Sequence, residues 1–131
     1  MGIPRKPNSP EQKARRRQAI LDAALTCFAE TEYELVSMTA VARRAGVAKG
    51  TVYLYFETKE ALFLGVHARQ LEAWFDEVDA RLAETPGNRC DEVVAIFRRA
   101  FAARPALTRL LAIVHVVLER NVELEAARAF K

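Results

Sequence analysis

The sequence predicts an all-α protein. Two kinds of observation lead there. Apolar residues recur at spacings of three and four in window after window, and no segment sustains a period-two alternation. The windows are separated by strong helix punctuation: Gly46, the run Thr85-Pro86-Gly87-Asn88, and Arg104-Pro105.

The elements follow in chain order. Residues 1–9, rich in proline and positive charge, are expected to form a flexible basic arm. Ser9-Pro10-Glu11-Gln12 then starts a first helix: Ser9 caps, Pro10 fits the first helical position, and Gln12 completes a capping box. Its apolar stripe is Ile20, Leu21, Ala24, Leu25 and Phe28, and it ends near residues 31–34. Ser37 caps a short second helix over 38–45, with Val41, Ala42 and Ala45 inward and Arg43 and Arg44 outward. Gly46 supplies the left-handed residue that stops it. A brief third helix covers about 49–56. Thr58 caps a long fourth helix whose stripe runs through Leu62, Val66, Leu71, Trp74/Phe75, Val78 and Leu82. Val93, Val94, Ile96, Phe97, Ala100 and Phe101 mark a fifth helix. Leu107, Leu110, Leu111, Val114, Val117 and Leu118 mark a sixth, and a seventh is expected to open at Asn121.

The bulk numbers narrow the function classes. Of 131 residues, 51% are hydrophobic and 28% charged, as in globular proteins. The net charge of +3 resides wholly in residues 1–60, with 10 Lys+Arg against 7 Asp+Glu; the remainder is balanced at 10 of each. A positive end on a neutral body suits a polyanionic partner. Cys27 and Cys90 lie far apart without metal-ligand spacing, so each is expected as a buried or half-buried thiol, and no metal or cofactor is expected. The longest apolar run, LLAIVHVVL at 110–118, falls short of the ~20 residues of a membrane helix and fits a core helix better. No apolar signal-peptide core follows the basic start, and a cytoplasmic, non-membrane protein is expected. Nucleophile-elbow and phosphate-loop motifs are missing from the sequence, and Glu72, Asp76, Glu77 and Asp79 are expected mostly along a solvated helix face, so no enzyme activity and no catalytic residue is assigned.

The informative stretch is AGVAKGTVYLYFETKEAL, residues 45–62. A short helix, a glycine turn and a second short helix make a helix-turn-helix, whose second helix enters the major groove of duplex DNA. Val52 and Phe56, four apart, share a face that can pack on the first two helices. Lys49 with Tyr53, and Thr51 with Tyr55, form rows that can point at DNA. Gly50 near the helix start removes a side chain where backbone must approach a phosphate. Hydroxyls of Thr51, Tyr53 and Tyr55 suit phosphate oxygens, and Lys59 sits where a lysine can clamp the backbone.

Residues 16–65, reading RRQAILDAALTCFAE and then SMTAVARRAGVAKGTVYLYFETKEALF, resemble the tetracycline-repressor (TetR) family of bacterial transcription regulators. The resemblance implies a three-helix DNA-binding domain at 1–57 and a helical ligand-binding and dimerisation domain at 58–131. It implies a homodimer on a palindromic operator, released by a small molecule. It carries DNA contact onto Ser37, Thr39, Lys49, Gly50, Thr51, Tyr53, Tyr55 and Lys59. Arg15, Arg16 and Arg17 are placed to reach an adjacent phosphate or minor groove. Family chains are usually longer, with further helices forming the dimer interface, so the second domain is expected to be truncated.

Candidate effector contacts are Trp74, Phe75, Phe97, Phe101, His115 and Leu118, an apolar lining suited to an apolar or aromatic molecule. The competing expectation is that the aromatic stripe is core and that His115, inside an apolar run, is a hydrogen-bonded core histidine, with His67 exposed or interfacial. The alternative function is a naturally short DNA-binding or adaptor protein without an effector pocket.

Overall fold

A computed structural model describes residues 9–87 and 89–130; residues 1–8 of the expected basic arm at 1–9 and the end of the chain at Lys131 lie outside them. The described residues form six α-helices: α1 Pro10–Glu30, α2 Met38–Ala45, α3 Lys49–Tyr55, α4 Lys59–Glu84, α5 Cys90–Ala102 and α6 Pro105–Ala129. A single 3-10 turn, Tyr33–Leu35, links α1 to α2. The chain divides into two compact units, the first ending at Leu62 and the second beginning at Phe63.

In the first unit, α1 packs on α2 and α2 on α3. Ile20, Leu21, Ala24 and Phe28 of α1, Val41 and Ala42 of α2, and Val52 of α3 are all buried. Side-chain caps mark the starts of α1, α2 and α4, whereas α3 follows Ala48 without one. The Ser9 hydroxyl accepts the Gln12 N–H at 3.2 Å, Ser37 accepts that of Ala40 at 3.1 Å, and Thr58 accepts that of Ala61 at 2.9 Å. The reciprocal half of the expected capping box is not made: Gln12 Oε1 has no hydrogen-bond partner among the described residues. Gly46 closes α2 at φ 72, and the Val47 N–H reaches back to the Ala42 carbonyl at 3.0 Å, the longer bond of a Schellman motif.

In the second unit, Trp74 and Val78 of α4, Ala100 of α5 and Leu107 of α6 form a buried core cluster. The helices α5 and α6 meet at 86°, and no single helix among the described residues is long and apolar enough to cross a membrane. Two polar contacts tie α6 to α4. Arg104, the residue capping α6, donates to the Glu77 carboxylate, both side chains being half-buried. His67, only 3% exposed, lies with Nε2 2.7 Å from the Leu110 carbonyl and Nδ1 3.0 Å from that of Phe63, so a ring N–H bridges the two helices.

Four expectations are corrected here. The two histidines exchange places: His67 is buried and His115 is exposed, because the inward stripe of α6 is Leu107, Leu110 and Val117, and His115 falls off it. No seventh helix begins at Asn121; α6 runs through it, and the Asn121 amide donates to Glu125 one turn on at 3.4 Å. Asparagine costs a helix far less than glycine or proline does, so nothing at this position forces a break. Cys90 is exposed at the start of α5, whereas Cys27 is buried. Glu77, expected on a solvated acidic face, is drawn in by Arg104.

Replacing His67 with alanine removes a buried ring and an interhelical hydrogen bond, and is expected to cost about 1–3 kcal/mol of stability in urea or thermal unfolding. His115→Ala is expected to stay within about 0.5 kcal/mol of wild type.

Candidate nucleic-acid interface

The helix α3 is seven residues long, too short to persist alone, so its stability comes from packing. Val52 is fully buried and Phe56, at its C-terminal cap, is 6% exposed. From α1, the Arg17 guanidinium lies over the Phe56 ring, 5.2 Å from its centroid. This contact engages one of the three arginines placed for an adjacent phosphate in holding the helix.

With Val52 and Phe56 inward, the rest of α3 faces out. Lys49, Gly50, Tyr53 and Leu54 are exposed, and Thr51 and Tyr55 are half-buried. Thr39, in the first turn of α2, is exposed. Ser37 is exposed too, its oxygen committed to capping α2. Gly50 has no internal reason to be glycine: its φ is not left-handed, and an added Cβ would meet nothing within 4 Å. An alanine there would meet no clash, so the packing of the described residues does not require this glycine.

Lys59 is half-buried, and its ammonium both donates to the Tyr33 carbonyl and sits 4.1 Å from the centre of the Tyr33 ring. The structure thus places this predicted phosphate clamp against the link between α1 and α2. Arg44 pairs with Glu30. The sequence reading missed a cleft of about 400 Å³ beside α3, lined by Lys13, Arg16, Thr51, Leu54 and Tyr55. The positive charge of Lys13 was visible in the sequence; that α1 carries it alongside the recognition helix was not.

In the second unit, the structure gathers four of the six candidate effector residues. Trp74 makes edge contacts with Phe75 and Phe97, at centroid distances of 5.0 and 5.2 Å, and a tilted one with Phe101 at 4.9 Å. Trp74 is buried, while Phe75 and Phe97 are exposed. The buried indole Nε1–H of Trp74 has no hydrogen-bond partner among the described residues. His115 and Leu118 lie apart from this cluster on an exposed stripe of α6 with Leu111 and Val122.

The three-helix unit and its outward α3 define a helix-turn-helix protein. Residues 20–66 match the bacterial regulatory proteins of the tetR family, and residues 68–131 match the tetracyclin repressor-like C-terminal domain. The chain belongs to the TetR family. It is 38% identical over 103 residues to the HTH-type transcriptional repressor KstR of Mycolicibacterium smegmatis, covering 77% of this chain and 50% of that one. It is 31% identical over 74 residues to the fatty acid metabolism regulator protein of Bacillus subtilis, covering 56% and 38%. Among solved structures, the fatty acid degradation regulator FadR from Bacillus halodurans aligns with TM-score 0.63 at 26% identity, covering 91% of this chain and 66% of that one. A TetR-family regulator from Streptomyces coelicolor aligns with TM-score 0.67 at 29% identity, covering 83% and 66%. The chain spans about half the length of the KstR relatives it matches.

Lys59→Ala is expected to lower stability by about 1 kcal/mol without any DNA present, through loss of the Tyr33 contacts. Unchanged thermal unfolding of that variant would leave Lys59 with no structural role.

Proposed function

We propose that this protein is a ligand-responsive transcriptional repressor that binds a palindromic operator as a homodimer and is released by a small molecule. It acts in the cytoplasm. Residues 1–57 read DNA, and residues 58–131 bind the effector and dimerise. Lys49, Gly50, Thr51, Tyr53 and Tyr55 meet the major groove and its phosphates, Ser37 and Thr39 contact phosphate from the start of α2, and Lys59 clamps the backbone after α3.

The observation that carries this reading is the outer face of α3. Leu54 apart, its side chains are polar or cationic, its glycine leaves open space, and its helix is held from behind by Val52, Phe56 and Arg17. Backbone N–H groups at the start of a helix, unobstructed by a side chain at Gly50, suit a phosphate oxygen. Affinity is then dominated by phosphate contacts and falls steeply with salt.

The effector is an apolar or aromatic molecule. Phe75 and Phe97 offer exposed rings beside Trp74, whose unpartnered N–H favours an effector carrying one hydrogen-bond acceptor. The fatty-acid regulators among the similar proteins are consistent with an apolar effector. Because α4 begins in the first unit and continues into the second, effector binding displaces it and changes the separation of paired recognition helices. Half-sites must match the ~34–36 Å helical repeat, so a shift of a few ångströms prevents simultaneous docking.

Selection from a random duplex pool should return an inverted repeat; recovery of no sequence preference would sink the repressor reading. Gly50→Ala should split stability from function. Thermal stability is expected to hold or rise, by up to about 1 kcal/mol, while operator affinity falls tenfold or more. Lys49→Ala should instead relax base choice at one position of each half-site, seen by repeating the selection.

A further inference from the structure

We infer that Leu54 reads the 5-methyl group of thymine in the major groove and is a specificity-determining residue of this protein. The inference rests on the DNA-binding reading above and adds to it a residue that the resemblance does not supply. Leu54 is 85% exposed, the most exposed large apolar side chain among the described residues of the first unit. A lone surface leucine is ordinary; its position on this helix is not. At 3.6 residues per turn, Leu54 and Gly50 each lie about 200° around the axis from fully buried Val52. They occupy the line directed most nearly away from the packed body. On a helix docked in the major groove, that line faces the groove floor, while Thr51, Tyr53 and Tyr55 flank it toward the walls.

Gly50 brings no side chain to that line, so Leu54 is the side chain α3 presents there. An isobutyl group neither donates nor accepts a hydrogen bond. The one base-edge feature it recognises in the groove is the thymine methyl. Its surroundings fit the same docking. Leu54 shares its cleft with Lys13 and Arg16, which are placed for phosphates along the rim, and with the hydroxyls of Thr51 and Tyr55. A leucine this exposed is not held in place by the fold, so its replacement leaves the helix intact.

The test replaces each thymine of the selected operator with uracil, one position at a time, which deletes only the methyl. Wild type and Leu54→Ala, both as the full chain, are compared by gel shift at one salt concentration. For wild type, uracil at one position per half-site is expected to weaken binding about 3–5-fold, the worth of one buried methyl. Leu54→Ala is expected to lose less than about 1.5-fold on the same change, with unaltered thermal unfolding. Equal uracil sensitivity in both proteins, or no sensitive thymine in wild type, overturns the assignment and leaves the regulator reading standing. Failure of wild type to select any DNA overturns both.

Discussion

Gly46 lets the chain leave one helix and enter another within three residues, and the geometry of the first unit depends on that turn. At φ 72 it adopts a backbone conformation that costs an ordinary L-residue roughly 1–2 kcal/mol. In return, the N–H of Val47 satisfies the Ala42 carbonyl, and Gly46 itself bonds back into α2. The turn fixes the angle at which α3 departs. With α3 packed on α2, Val52 and Phe56 are buried, as are Phe28, Val41 and Ala42, and the opposite line of the helix faces out. A side chain at position 46 would strain the turn that leads into the helix on which the proposed activity depends.

This arrangement separates two jobs that compete on so short a helix. Seven residues offer two turns of surface, and the inward turn-to-turn line is given to Val52 and Phe56. Arg17 adds a guanidinium from α1 against Phe56, so the helix is secured without using any of its outward positions. Those positions are then free for the proposed external partner, glycine at position 50 included, where an added Cβ would meet nothing within 4 Å.

Much of this was legible in the chain because the signals are local. Ser9, Ser37 and Thr58 announce helix starts through the N–H groups they cap, and Gly46 announces an end; each acts within four residues. The inward face of α3 was legible for the same reason, from the spacing of Val52 and Phe56. The failures concern contacts between distant segments. His115 sits among valines and leucines in sequence but on the wrong side of α6, whereas His67 finds the Leu110 carbonyl across 43 residues. Periodicity reports that a helix is apolar; the face it buries is decided by its neighbour. Glu77 looked solvated for want of knowing that Arg104 would lie against it. The cleft beside α3 draws Lys13 and Arg16 from a different helix, and no spacing rule joins them to Leu54.

The cations of the first unit show how packing sorts charge that composition lumps together. Arg44 is paired with Glu30, Arg17 lies on Phe56, and Lys59 is held by the ring and carbonyl of Tyr33. Among the described residues, Lys13, Arg16, Arg43 and Lys49 form no ion pair. The two groups differ in what they bring to a polyanion. An unpaired surface lysine supplies attraction but must surrender side-chain freedom on docking, about 0.5–1.5 kcal/mol for each such group. Lys59 has already surrendered it, because Tyr33 holds its ammonium from two directions. Its net attraction for a phosphate is therefore diminished less by ordering than that of its neighbours. The structural contact and the proposed clamp are thus compatible.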